Sequence, residues 1–393
     1  MARPSLSLLA AVFAVIGVIY QFTLKPKLVL YGQGRVIEPI GNTKCQKYPE
    51  VKACGKLVLH EPNGFVYMAC STPKHRRDWY PPANRINVTG KALSDYVAVF
   101  DPSTSKITKL STPDFKYFRG LSLHGMDVVQ SKERPSELLV YLINHRDPMK
   151  PLKVEEVGAD SVVEVFRTSP GQTELKYLAT FKDPSIATPH DVVGTGDDSS
   201  FYFTNDHGTV KAGNSRYLDL DFLLGKRWAN VGYCHASKGC KTAIDGLLGA
   251  SAITMDKEGK LYVGSSISGD VQVLERQSDN TLVMTDVVKL DRPVESLSLD
   301  KDGAIWAAAL PNAKHLFSTH MTRPSTLSPS SAIRLSLNKG QSQFFGEKYA
   351  IEKVFEDDGE VAPGTTTVAY DSKRKKLYLH GISAPHLTVC DID

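Results

Sequence analysis

The sequence has no surplus of charge of either sign: 47 Lys and Arg stand against 43 Asp and Glu, a net charge of +4, and no basic run exceeds Lys373-Arg374-Lys375-Lys376. That balance leaves no electrostatic footprint for a nucleic-acid partner. Nucleotide and acyl-transfer templates are missing as well. There is no Gly-x-x-x-x-Gly-Lys-Ser/Thr and no Gly-x-Gly-x-x-Gly, and Gly249-Ala-Ser-Ala-Ile lacks the second glycine of a nucleophile elbow, which makes Ser251 a poor nucleophile. Helical periodicity is scarce outside the N-terminus. The 393 residues are 41% hydrophobic and 23% charged, with 29 Gly and 22 Pro, which excludes a disordered, collagenous or coiled-coil chain. A globular chain of this length can bury a sizeable core.

What is present begins with an apolar segment. After Arg3, the run LSLLAAVFAVIGVIY from Leu6 to Tyr20 is apolar apart from Ser7 and Tyr20, and Lys25 and Lys27 close it. Its length falls between a long signal-peptide core and a short spanning helix, no clean small-x-small cleavage site follows, and all its faces are apolar. It reads as an uncleaved signal anchor over residues 1–27, with a folded domain over 28–393. The implied partner is a membrane and the implied compartment the secretory pathway, with the folded part luminal or extracellular. There the six cysteines, Cys45, Cys54, Cys70, Cys234, Cys240 and Cys390, permit three bridges. Cys234 and Cys240 enclose only HASKG and suit a local staple, whereas a link between Cys45 and Cys390 would close the folded region end to end. CHASKGC lacks the second Cys or His pair of a zinc finger. Asn87-Val-Thr, in a Pro-rich loop, is the one glycosylation sequon.

From about Cys45 onward short β-rich runs alternate with turn clusters: FVYMAC, DYVAVFD, LLVYLINH, VVEVF, FYFTND, KLYVGSS, DVQVLER, AIWAAAL and KLYLHGI. A turn with acidic residues and Gly leads repeatedly into a β-run with an aromatic, as in Glu61-Pro-Asn-Gly-Phe-Val-Tyr, Asp256-Lys-Glu-Gly-Lys-Leu-Tyr and Asp300-Lys-Asp-Gly-Ala-Ile-Trp. A version without Gly occurs at Asp371-Ser-Lys-Arg-Lys-Lys-Leu-Tyr. Four-stranded units repeating every 40 to 50 residues or so mark a β-propeller, whose closed ring protects strand edges. The expectation is an all-β, six-bladed propeller closed by pairing of its N- and C-terminal strands, with an N-terminal hydrophobic helix. Asp197-Asp198 and Glu356-Asp357-Asp358 read as solvated loop caps, and His315 to Ser331 as a loop insert.

The chain resembles the paraoxonase/arylesterase family, calcium-dependent six-bladed propellers that hydrolyse lactones, aryl esters and some organophosphates. The anchors, in order, are Leu123-His-Gly-Met-Asp-Val-Val, Val140-Tyr-Leu-Ile-Asn-His, His190-Asp-Val-Val-Gly, Phe201-Tyr-Phe-Thr-Asn-Asp-His, Ser251-Ala-Ile-Thr-Met-Asp, Glu295-Ser-Leu-Ser-Leu-Asp and the terminal Leu-Thr-Val-Cys390. The resemblance implies that His124 is the general base and His145 its partner; the other reading is a pair of buried propeller-core histidines. It also implies a calcium site of Glu-Asp, Asn-Asp, Asn and Asp-Asn, the hard oxygen ligands calcium prefers. At those places this chain has Gly55-Lys56, His190-Asp191, Ser251 and Glu295-Ser296, so only Asp191 is unchanged. A cation at Lys56 repels calcium. The chain therefore reads as a divergent, fungal-type member without cofactor.

Three functions follow. Fungal propellers resembling the family look like cyclases, including hetero-Diels–Alder catalysts, in secondary-metabolite pathways. Metal-free chemistry of that kind on a small hydrophobic substrate is the leading expectation, with His124, His145, His190 and Lys56 as donors or acids. The second is a calcium-dependent arylesterase or lactonase holding the ion through Asp191 and Glu295. The third is a binding propeller without turnover, in which His190 and Lys56 fill the emptied cavity.

Overall fold

In a computed structural model, residues 6–392 are described except 116–118, 214–215, 217–221, 223 and 341–345; Arg3 lies outside the described residues. Six four-stranded antiparallel sheets form the six blades of a propeller. Blade one comprises Lys56–His60, Phe65–Cys70, Tyr96–Asp101 and Lys106–Lys109, and blade two starts with the inner strand Leu123–Gln130. The inner strands of blades three to six are Pro189–Gly194, Ala250–Met255, Val294–Leu299 and Thr367–Asp371. Successive inner strands touch in a closed ring, the first against the last.

The acidic turns are the hairpins between first and second strands. Asp256, Asp300 and Asp371 each accept two backbone amides of their own turn, among them Lys260 N at 2.8 Å, Ala304 N at 2.9 Å and Arg374 N at 3.0 Å. Side-chain capping of this kind fixes the reversal locally, which is why the motif recurs. Apolar residues between neighbouring blades supply the burial, for instance Trp306, stacked on Tyr370 at 4.3 Å with its indole N–H donating to Asp300 at 2.9 Å.

Blade six is completed from the other end of the chain. Cys45–Tyr48 pairs with Leu387–Asp391, and the facing residues Cys45 and Cys390 are disulfide-bonded across a separation of 345 residues. At the same seam the Leu57 amide donates to Thr367 Oγ1 at 2.9 Å. Cys54–Cys70 and Cys234–Cys240 form the other two bridges. The expected solvated acidic cluster is only partly so: Asp358 is exposed, but Glu356 and Asp357 are buried. Glu356 accepts from Arg292 at 2.6 Å and Lys353 at 2.7 Å, and Asp357 accepts the amides of residues 359, 361 and 362, so these charges are structural.

The N-terminal helix runs on through a π-turn at Tyr20–Leu24 to Leu30, past both lysines expected to close it. Residues Ala10–Leu30 are long and apolar enough to cross a membrane, and none of that stretch is buried against the protein. Its foot is fastened to the propeller: Lys27 donates to Phe222 O at 2.6 Å, the Tyr31 hydroxyl to Ser266 O at 2.8 Å, and Arg35 pairs with Asp291 at 2.5 Å. Asn87 is exposed beside a short 3-10 turn.

Because the Cys45–Cys390 bridge constrains nearly the whole unfolded chain, replacing both residues by Ser is expected to cost about 2–5 kcal/mol. Chemical denaturation of wild type and double variant measures it, and the Cys234→Ser/Cys240→Ser pair, which closes a far smaller loop, is expected to lose less.

Candidate functional site

The inner strands begin at one end of the propeller, and strand alternation brings the connections between second and third strands to the same end. Several inner strands start with an irregularity. Register shifts fall between Leu123 and Met126, Pro189 and Val192, Ala250 and Ala252, and Val294 and Ser296. A bulge leaves residues off the ladder and re-aims their side chains. His124, His190, Asp191, Ser251 and Glu295 all stand in these bulges, so five of the expected site residues are turned to the axis by one repeated device. Gly125 permits the close approach this needs, since a Cβ there would meet His190 O at 2.5 Å.

On the axis, Lys56 Nζ lies 2.5 Å from Asp191 Oδ2 and donates also to Leu297 O at 3.3 Å, with both partners buried. Asp191 further accepts the amides of Val192 at 3.0 Å and Ile253 at 3.1 Å. Burial raises the Asp191 carboxyl, and Lys56 and the Ile253 amide oppose it. The net effect is a raised carboxyl, held by three donors. The hydroxyls nearby are spent on links between blades, Ser251 to Val294 O at 2.7 Å and Ser296 to Thr367 Oγ1 at 3.4 Å.

Beside this pair the histidines form a chain. His124 Nε2 is 2.8 Å from the Tyr80 hydroxyl, its Nδ1 is 3.5 Å from His145 Nε2, and His145 Nδ1 is 2.9 Å from Ser161 Oγ. Burial lowers both imidazoles, assisted by neighbouring histidines and the buried Arg76 guanidinium; His124 falls well below its usual range and His145 to about 3. With both rings neutral, one choice of tautomers satisfies the whole chain: Tyr80 O–H to His124, His124 N–H to His145, His145 N–H to Ser161. Tyr80 is pushed well above its usual range by burial and by Glu295, so it holds its proton.

His190 is different. Burial pushes its imidazole down, but the Glu295 carboxylate, 3.4 Å from Nε2, and the charges of Asp206 and Asp191 outweigh that and raise it overall. Its ring stands edge-on to His124, with centroids 4.4 Å apart. His124, His190 and Glu295 bring their ligand atoms within 4.8 Å of one another, close enough to hold a metal ion. Each already has a partner, however: His190 and Glu295 one another, His124 the tyrosine.

A cavity of about 710 Å³ opens over this floor. Its lower wall is His190, Glu295, Tyr80 and Asp206, and its sides are apolar, from Phe222, Ile267, Phe317 and, at the helix foot, Leu28 and Tyr31. His190 and Glu295 reach it, whereas His124 stands behind Tyr80 and His145 lines a separate hollow of about 20 Å³. Tyr80, Asp206 and Arg216 were not singled out from the sequence. Tyr80 belongs to an insert of blade one with no strand or helix period; Asp206 and its neighbour His207 close the Phe201 anchor of the family resemblance but carry no spacing that marks a site.

Fold and site together define a six-bladed propeller with a cavity of about 710 Å³ over a buried cluster of titratable groups at one end of its axis. The chain belongs to the arylesterase family, whose model matches residues 120–391. Serum paraoxonase/arylesterase 2 of Homo sapiens is 27% identical over 266 residues, covering 63% of this chain and 71% of that protein. The Rattus norvegicus protein of the same name is 30% identical over 216 residues, covering 54% and 57%. Serum paraoxonase/arylesterase 1 of Homo sapiens is 23% identical over 341 residues, covering 85% and 86%. Among solved structures, a gluconolactonase from Xanthomonas campestris overlays with a TM-score of 0.46 at 10% identity, covering 91% of this chain and 99% of that one.

Replacing Lys56 by Met strands Asp191 as a buried unpaired carboxylate, and the expected loss is about 3–5 kcal/mol of folding stability. Lys56→Met combined with Asp191→Asn is expected to recover more than half of it, as read by denaturant midpoints.

Proposed function

We propose that this chain is a calcium-independent acid–base enzyme acting on a carbonyl-bearing, apolar small molecule, and that hydrolysis of an aryl ester or lactone is the reaction its family membership favours. The observation that carries the reading is the Lys56–Asp191 ion pair on the axis. Calcium needs six to eight oxygen ligands. The one carboxylate retained from the family pattern is committed to an ammonium, Glu295 faces His190, and the Ser251 and Ser296 hydroxyls link blades. That donor set does not fit the ion.

The work then falls to the cavity floor. A protonated His190 is a donor on the cavity wall, able to polarise a carbonyl oxygen and stabilise the negative charge that develops on it, while the Tyr80 proton stays on the line to His124. For hydrolysis, water adds to the carbonyl carbon as it gives a proton to Tyr80 and Tyr80 gives its own to His124; the acyl C–O bond then breaks and the proton returns by the same route to the departing oxygen, with His145 and Ser161 holding the tautomer. Serine as nucleophile is unsupported, because Ser251 Oγ is engaged at 2.7 Å by Val294 O. A second reading, non-hydrolytic cyclisation, is favoured by the apolar side walls, which exclude water while leaving the His190 donor for the carbonyl. Exposure of the apolar helix beside the cavity, with three disulfides in the propeller, supports a membrane-anchored protein of the secretory pathway.

Two tests follow. Purified full-length protein is expected to contain no stoichiometric calcium, and a strong chelator should leave its thermal midpoint and its turnover of phenyl acetate or a γ-lactone unchanged; a loss of either restores the calcium enzyme. His190 acts in its protonated form and its value is raised, so activity should hold below and fall as pH rises through a midpoint above 6.5, its ordinary value. Glu295→Gln is expected to move that midpoint to lower pH, and Tyr80→Phe, which breaks the proton relay, to lower kcat by roughly 10²–10⁴.

A further inference from the structure

Asp206 directly follows the second strand of blade three, Ser200–Asn205, and its backbone is pinned by its own amide donating to Thr188 O at 3.1 Å. The residue is 4% exposed and lines the cavity. Among the described residues, Asp206 Oδ1 is the one buried side-chain polar atom of the cavity wall without a hydrogen-bond partner. Oδ2 lies 3.6 Å from His207 Nε2, beyond hydrogen-bonding distance. The Arg216 guanidinium on the same wall is occupied: it donates to Pro81 O at 2.9 Å, to Pro82 O and toward His207. Tyr80, His190 and Glu295 are engaged with one another or with His124. Buried acceptors are almost always satisfied, and one left open on a cavity wall is satisfied by what enters the cavity.

We propose that Asp206 Oδ1 is the recognition point of the ligand, and that the ligand is an apolar, ring-bearing molecule carrying an O–H or N–H donor. The ring follows from the walls, where Tyr31 and Phe222 lie 4.6 Å apart with Phe317 on the same cavity. The donor follows from the open carboxylate oxygen, which would repel a carbonyl or ether placed against it. This deepens the proposed function, because it rests on the same cavity being the substrate site and names a group the substrate carries away from its reacting carbonyl. Asp206 is thus a specificity-determining residue.

The test is binding, so it does not require turnover. Detergent-solubilised full-length protein is titrated with 2-naphthol and with 2-methoxynaphthalene, alike in ring and differing in the donor. Wild type is expected to bind the naphthol at least ~10-fold more tightly. Asp206→Leu should abolish that preference while still binding the ether, and Asp206→Asn, which keeps shape and an acceptor oxygen, should retain part of it and shows that the fold tolerates a change here. Equal binding of the two probes by wild type, a preference that survives in Asp206→Leu, or no binding of either probe overturns the proposal. Absence of ester, lactone or cyclising activity with the preference intact would instead overturn the reaction and leave the recognition point standing.

Discussion

Nothing on the axis of this molecule exists until the ring is closed. Lys56 belongs to the first inner strand, Asp191 to the third and Glu295 to the fifth, and they meet only because the first inner strand comes to lie against the last. That seam is held three ways: by the pairing of Cys45–Tyr48 with Leu387–Asp391, by the disulfide in register with it, and by the Leu57 amide on Thr367. Contacts so distant in sequence are entropically expensive to form, and a covalent link across the seam offsets part of that cost for all six blades at once. Each blade contributes one or two side chains to the axis, so the site is as ordered as the ring is complete.

Within the ring, charge is managed by pairing of fixed groups. An ion held by dispersed oxygens needs a rigid cage, whereas a lysine brings its own tether and needs only one carboxylate and a carbonyl in reach. The cost is desolvation of both charges, which good hydrogen bonding to Asp191 offsets. The same logic separates the histidines. Burial and cationic neighbours push His124 and His145 down, whereas the Glu295 carboxylate outweighs burial at His190 and raises it. Two imidazoles whose rings are 4.4 Å apart are thereby set to opposite roles by their neighbours alone.

The propeller was legible in the sequence because its signals are local. An aspartate that caps its own turn leaves the same trace each time, and cysteines at both ends point to closure. The residues on the inner strands were found by the order of short anchors, and they share the bulged start of a strand. Tyr80 and Asp206 escaped for a physical reason. They lie on or at the mouth of connections that cross one end of the ring, where side-chain direction is decided by tertiary contacts such as Arg216 on the carbonyls of Pro81 and Pro82, not by any repeating period. Glu356 and Asp357 misled in the opposite sense: a run of acids looks solvated until Arg292 and Lys353 are seen folded against it.

The foot of the N-terminal helix is part of the cavity wall, through Leu28 and Tyr31, and is also tied to the propeller through Lys27, Tyr31 and Arg35. A molecule that touches those residues gains free energy from their being in place. Linkage is reciprocal, so the same molecule must hold the helix to the propeller by an equal amount. Tilting or withdrawing the helix would then loosen whatever fills the cavity, and filling the cavity would stiffen the joint, which makes the helix and the chamber two ends of one thermodynamic couple.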